Sequence, residues 1–329
     1  MSATHKFLFG VISMALAAAA HAVIIDADGA GPDAARDLKI LDWAPGNTLI
    51  TPVGGASIFT HPLGDVFQLY TQASLGSFDG SAAQDPNRWT YIAGYQQQVV
   101  STAGANVVFN TLTGGDNFFR VYFDPTPNAS AGNGTGYGPD ATNSDALLIL
   151  SGSYTSGQTA ISGLNIAPGG LDASGPDNYP GLGSITAVGD SDLAAAIASF
   201  DPAYFPAGLP PGFALDFRAI FSAPFSQVDP SSCFKNGAGA LINGAGPNTL
   251  AGLECGVNTT GSVNGIDGTN LILMSDSSAS FRTAEPVPEP MTLALLGVGL
   301  IAMGAGRLRL ADRSSRHSGK NPYPTGNRA

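Results

Sequence analysis

The sequence predicts an all-β fold, an antiparallel β-sandwich with long loops rich in Gly, Pro and Asn. Three observations lead there. Glycine (43) and proline (23) are frequent, so turns are frequent. Helix formers are sparse, and glutamate occurs only at Glu254, Glu285 and Glu289. Between the turns lie short runs of β-branched and aromatic residues. Many short strands joined by such turns build antiparallel sandwiches or barrels.

Taken in order, strands are expected over 66–75 (VFQLYTQASL), 89–100 (WTYIAGYQQQVV) and 105–112 (ANVVFNTL). Three more are expected over 117–124 (NFFRVYFD), 146–154 (ALLILSGSY) and 213–220 (FALDFRAI). In NFFRVYFD, Phe119, Val121 and Phe123 fall on one face and Phe118, Arg120 and Tyr122 on the other, the period of a strand. Turn clusters over 125–140 and 165–183 separate the runs. SDLAAAIASF (191–200) reads instead as a short helix capped by Ser191 or Asp190. No repeat of fixed period suggests a solenoid or propeller. GAGALINGAGPNTLAG (237–252) contains G-x-G without a strand-turn-helix context, so it reads as a Gly-rich surface loop.

The ends of the chain differ from its body. Lys6 precedes an apolar run from Phe7 to Ala20, and Ala20-His21-Ala22 forms an A-x-A site. This is the order of a secretory signal peptide, with signal peptidase cutting before Val23. At the other end, Met291 to Gly306 is an apolar run of 16 residues ending on Arg307 and Arg309. As a helix it would rise about 24 Å, against a bilayer core of about 30 Å. Four glycines weaken it further. The expected organisation is a signal peptide (1–22), a secreted β-rich domain (23–284), a segment with a short transmembrane helix (285–310) and a basic cytoplasmic tail (311–329).

Charge agrees with this order. From Val23 to Pro290 there are seven Lys or Arg against 24 Asp or Glu, a net charge of −17. From Arg307 onward six basic residues stand against Asp312 alone, a net charge of +5. A basic flank beside an apolar run is the positive-inside pattern, with the acidic body outside. The acidic body excludes nucleic acid and anionic membrane surfaces as partners, because phosphates need a basic footprint.

The expected chemistry is thin, and the chain is expected not to be an enzyme. His61 is the one histidine between Val23 and Pro290, which rules out H-E-x-x-H and multi-His metal sites. Within its THP turn it reads as an exposed loop residue rather than as part of a Ser-His-Asp triad. There is no G-x-S-x-G elbow. Aspartates are plentiful enough for a glycosidase pair, but nearly all lie in turn contexts. Asp26, Asp28 and Asp33 around two glycines make a weak calcium candidate that lacks the terminal bidentate Glu of an EF-hand. No cofactor is expected. Cys233 and Cys255, 22 positions apart, are expected to form a disulfide in an exported chain. Such a loop closure contributes roughly 3 kcal/mol in the chain-entropy treatment.

Val287-Pro288-Glu289-Pro290, then a short apolar helix, then arginines, resembles the PEP-CTERM sorting signal of Gram-negative bacteria. That resemblance implies exosortase as a partner. It also implies transient anchoring in the inner membrane, followed by release to the cell surface or extracellular matrix. A marginal helix suits a segment that holds only until processing, and the prolines keep the collar extended and outside the helix. The chain runs 20 residues past Arg309, longer than the family's usual ending. LDWAPGNTLITP (41–52), FQLYTQASLGSF (67–78), GGDNFFRVYFDP (114–125) and LLILSGSY (147–154) resemble the flocculation-associated PEP-CTERM proteins. They imply a non-catalytic role in aggregation with exopolysaccharide. The alternative is a secreted carbohydrate-binding sandwich, in which Trp43, Trp89 and Tyr91 could stack on sugar rings if they form an exposed row. Burial of all three would favour a structural role.

Overall fold

The computed structural model describes residues 22–29, 34–56, 61–82, 88–130, 134–139, 144–168, 183–210, 212–223, 233–243 and 271–283. The chain divides after Thr283, and its second unit, Ala284–Ala329, lies outside the described residues.

The described residues form strands and no helix. In chain order these are β1 (Val23–Ile25), β2 (Arg36–Leu38), β3 (Ile40–Val53), β4 (Val66–Phe78), β5 (Ser81–Ala82), β6 (Trp89–Ala103) and β7 (Asn106–Leu112). There follow β8 (Phe118–Phe123), β9 (Leu147–Pro168), β10 (Gly183–Phe200), β11 (Phe213–Ala223), β12 (Cys233–Lys235), β13 (Leu241–Asn243) and β14 (Leu271–Thr283). All six strands expected from the sequence are present, several of them longer than their apolar runs.

The pairing departs from the expected two-sheet sandwich. Every ladder is antiparallel, and the large sheet closes on itself. Leu69 of β4 pairs with Ile50 of β3 on one side and with Tyr95 of β6 on the other. The far edge of β6 is shared end to end by β7, from Gln96, and β8, from Gly94. Both of those then pair with β9. From β9 the ladder continues through β10, β11 and β14 back to β3. Counting β7 and β8 as one place, eight strand positions make a closed barrel. Closure satisfies the backbone donors and acceptors that a sandwich leaves bare on its edge strands. Bulges lie at Ala44–Gly46, where β3 loses register with both neighbours, and between Ala194 and Ala195 of β10. Pro45 sits in the first, as a residue without a ladder donor must.

The segment 191–200 is a correction: it lies in β10, not in a helix. Ser191, Leu193 and Ala195 are buried while Asp192, Ala196 and Ala198 are exposed, an alternation of two. Alanine favours helix by only a few tenths of a kcal/mol per residue. Ladders to β9 and β11 on both sides override that preference.

An eight-position barrel is just wide enough for side chains to fill it. Here aromatic rings fill it. Phe217 lies 5.3 Å from Tyr154, 5.5 Å from Phe119 and 6.3 Å from Tyr91 between ring centroids. Tyr95 stacks 4.8 Å from Tyr154, and Trp43 lies 4.6 Å from Tyr91. A hydroxyl chain crosses this interior: Thr48 donates to Thr71 Oγ1 (2.9 Å), and the Tyr91 hydroxyl meets Thr71 (3.4 Å) and Ser277 (3.1 Å).

The alternation read in NFFRVYFD has a structural meaning. Phe119, Val121 and Phe123 enter the barrel, whereas Phe118 and Tyr122 join a second, outer cluster with Leu49, Tyr70 and Ile92. Tyr137, Ala146 and Phe234 cover that cluster from outside. Its cover is held by Lys235, which is buried and donates from Nζ to the carbonyls of Tyr137 (2.7 Å), Gly138 (3.0 Å) and Pro139 (2.9 Å). Gly237 N donates to the Asp116 carboxylate (2.9 Å), and Arg120 donates to the Gly237 carbonyl. β8 therefore carries aromatic residues on both faces because both faces are covered.

Candidate functional site: the polar outer face of the barrel

The aromatic residues proposed as sugar platforms are interior. Trp43 is 1% exposed, Trp89 2% and Tyr91 3%. Trp89 packs edge-on to Phe78 and Tyr204, and its Nε1 donates to the Ala27 carbonyl at 2.8 Å. Burial pushes the hydroxyls of Tyr91, Tyr95 and Tyr154 up from their ordinary value, so all three stay protonated at physiological pH. They pack; they do not present a stacking surface.

The other singled-out residues scatter. Asp26 and Asp28 lie in the turn after β1, where Asp28 N donates to Asp26 Oδ1 (3.3 Å), the ordinary use of Asp in a turn. Asp33 lies outside the described residues. Among the described residues no group of three or more His, Cys, Asp or Glu could hold a metal ion. Cys233 opens β12, while Cys255 lies outside the described residues, as do Ala20, the collar Val287–Pro290, Arg307 and Arg309. Ala22 is exposed, and Val23 is the buried first residue of β1. His61, expected to be exposed, is only half-exposed, with a φ of 29°.

What the sheet does bring together is a polar face across β9, β10, β11 and β14. One row runs across four ladders: Gln158, Asp192, Arg218, Ser278 and Asp42. The next row is Ser156, Ala194, Asp216, Ser280 and Ile40. Arg218 Nε pairs with Asp192 at 2.8 Å, and Arg282 Nε with Asp216 at 2.6 Å. Gln158 donates to Asn110 (3.3 Å), and Ser151 and Ser199 share a hydrogen bond of 2.7 Å. Exposed ion pairs such as Asp192–Arg218 contribute about 0–1 kcal/mol to stability.

Outward side chains on such a face repeat about every 4.8 Å across strands and about 7 Å along them. Hydroxyl, amide, carboxylate and guanidinium groups at those spacings can hydrogen-bond a hydrated polyhydroxylated chain at many points. The same polarity is opposite to that of a transmembrane barrel, whose outer surface is apolar and whose lumen is polar. Set against known protein families, curated proteins and solved structures, the chain matches none of them.

Asp276 of β14 lies on this face, opposite Ile220. Desolvation, then repulsion from Asp42, raises its carboxyl above the ordinary 3.8. A raised folded value makes the acid a stabilising group only while protonated. That contribution is present below 3.8 and is lost as pH rises through the folded value. Asp276→Asn is therefore expected to raise Tm at pH 7, with the gain shrinking as pH falls through the raised folded value and gone below 3.8; thermal melts across pH check this. The face was not legible in advance because β10 read as a helix and β14 was not recognised. The short continuous apolar run Leu271-Ile272-Leu273-Met274 was the available signal.

Proposed function

We propose that this chain is an exported, non-catalytic surface or matrix protein, trimmed by exosortase, that acts in exopolysaccharide-associated cell aggregation. The observation that carries the reading is the C-terminal order: the Val287–Pro290 collar, the 16-residue apolar run and the basic stop at Arg307 and Arg309. Signal peptidase would remove residues 1–22 and leave β1 whole, since β1 starts at Val23. The Cys233–Cys255 bridge belongs to the same exported state. The inner membrane is then an intermediate location and the surface or matrix of a Gram-negative bacterium the final one. The polar outer face of β9, β10, β11 and β14 supports contact with a hydrated polysaccharide. A lectin-like mode built on Trp43, Trp89 and Tyr91 loses its residues to the core.

The test is Glu289→Ala in cells carrying exosortase, with separate N- and C-terminal epitope tags. Export is expected to remain intact, because the signal peptide and the arginines are untouched. Release is expected to fail, because the carboxylate between the prolines is lost while the helix still partitions into the bilayer. The variant then accumulates full length in the inner membrane, and the wild type sheds its C-terminal tag. A wild-type surface protein that retains its C-terminal tag sinks the reading.

A further inference from the structure

We propose that one end of the barrel is a binding site for a small, uncharged, straight-chain alkyl molecule with a terminal hydroxyl. The interior is not filled to that end. Ile50, Phe67, Leu69, Phe109, Phe221 and Leu273, drawn from five strands, surround a cavity with about 40 Å³ of free volume. A cavity lined mainly by such side chains is poorly suited to water and well suited to carbon. Mouths of β-barrels are common ligand sites for that reason.

The lining sets the class of guest. A water needs about 10–15 Å³ in this measure, so the space holds a few linked atoms in single file, and an aromatic ring needs more. Gln97 and Thr159 are the buried polar side chains in the wall, at 2% exposure each, and His61 stands at its edge. Gln97 Nε2 donates to Thr159 Oγ1 (2.6 Å), and Thr159 shares a hydrogen bond with Ser191 (2.8 Å). Those bonds orient the Gln97 amide. They use one of its two donors and leave its carbonyl oxygen and second N–H as the natural partners of a guest hydroxyl. Among the described residues no carboxylate, lysine or arginine lines the cavity, so a charged head group would find no counter-charge from them.

The test is calorimetric titration of the purified full chain with ethanol through 1-hexanol and with the alkanes that match the longer members. Affinity is expected to rise about fourfold per methylene and then level off once the cavity is full. Each alcohol should bind about fivefold more tightly than its alkane, the worth of one hydrogen bond. Ile161→Phe, which places a ring in the wall, should abolish binding without lowering Tm. Gln97→Met should keep alkane binding and erase the preference for alcohol, so the proposal stays testable if Ile161→Phe does not fold. Absence of alcohol binding by the wild type overturns the site. Binding unchanged in both variants overturns it too, by placing the alcohol elsewhere on the chain.

Discussion

Phe217→Ala is expected to destabilise the protein by about 3–5 kcal/mol, the cost of emptying a large aromatic from a packed core. Phe217 belongs to β11, and its ring is the one that Tyr91 (β6), Phe119 (β8) and Tyr154 (β9) share across the barrel. Removing it takes apolar area out of burial and leaves three rings without a common neighbour. The surrounding strands cannot collapse into the gap, because closed ladders hold their spacing. For a domain of this size the loss corresponds to a Tm lower by about 10 °C. Phe217→Leu, which keeps most of the volume, should cost about 1–2 kcal/mol. Urea unfolding monitored by tryptophan fluorescence reads both, with the midpoint shifting and the slope unchanged. A cost below about 1 kcal/mol for the alanine variant would show that the barrel interior is not closely packed there.

Gly152→Val should be comparably damaging, by about 3 kcal/mol or more, although it adds apolar volume to an apolar interior. Gly152 lies in β9 opposite Phe119 of β8 and Ile197 of β10. A Cβ at this position would fall inside contact distance of both the Ala196 carbonyl oxygen and the Phe119 ring. The glycine yields its side-chain space to Phe119, which is fully buried. The carbonyl belongs to a neighbouring ladder and cannot swing aside. Phe119→Leu introduced beside Gly152→Val should therefore recover only part of the loss, because it relieves the ring and not the carbonyl. A double-mutant cycle measures that coupling. Full recovery by Phe119→Leu would show that β9 and β10 can part at Ala196, contrary to the expectation.

Several features were legible in the residues themselves. Six strands stand out because β-branched and aromatic residues recur between Gly- and Pro-rich turns. The two faces of β8 stand out because Phe119, Val121 and Phe123 alternate with Phe118 and Tyr122. These are local signals: a strand's period and its turns depend on neighbouring residues alone. The acidic body, the A-x-A site and the collar around Glu289 are local in the same sense.

The rest was decided by long-range pairing. Closure of the barrel requires Leu69 to face Ile50 and Tyr95 at once, and no local pattern states which strands will meet. The same pairing turns the alanine-rich 191–200 into a strand, since two flanking ladders outweigh a helix preference of a few tenths of a kcal/mol per residue. Trp43, Trp89 and Tyr91 carry the composition of a sugar platform, and only the direction in which their strands face sends them inward. The polar face and the barrel-end cavity arise only in the assembled fold. Each is built from side chains far apart in the chain, such as Asp42 with Ser278 or Gln97 with Thr159, and the barrel's register alone sets them side by side.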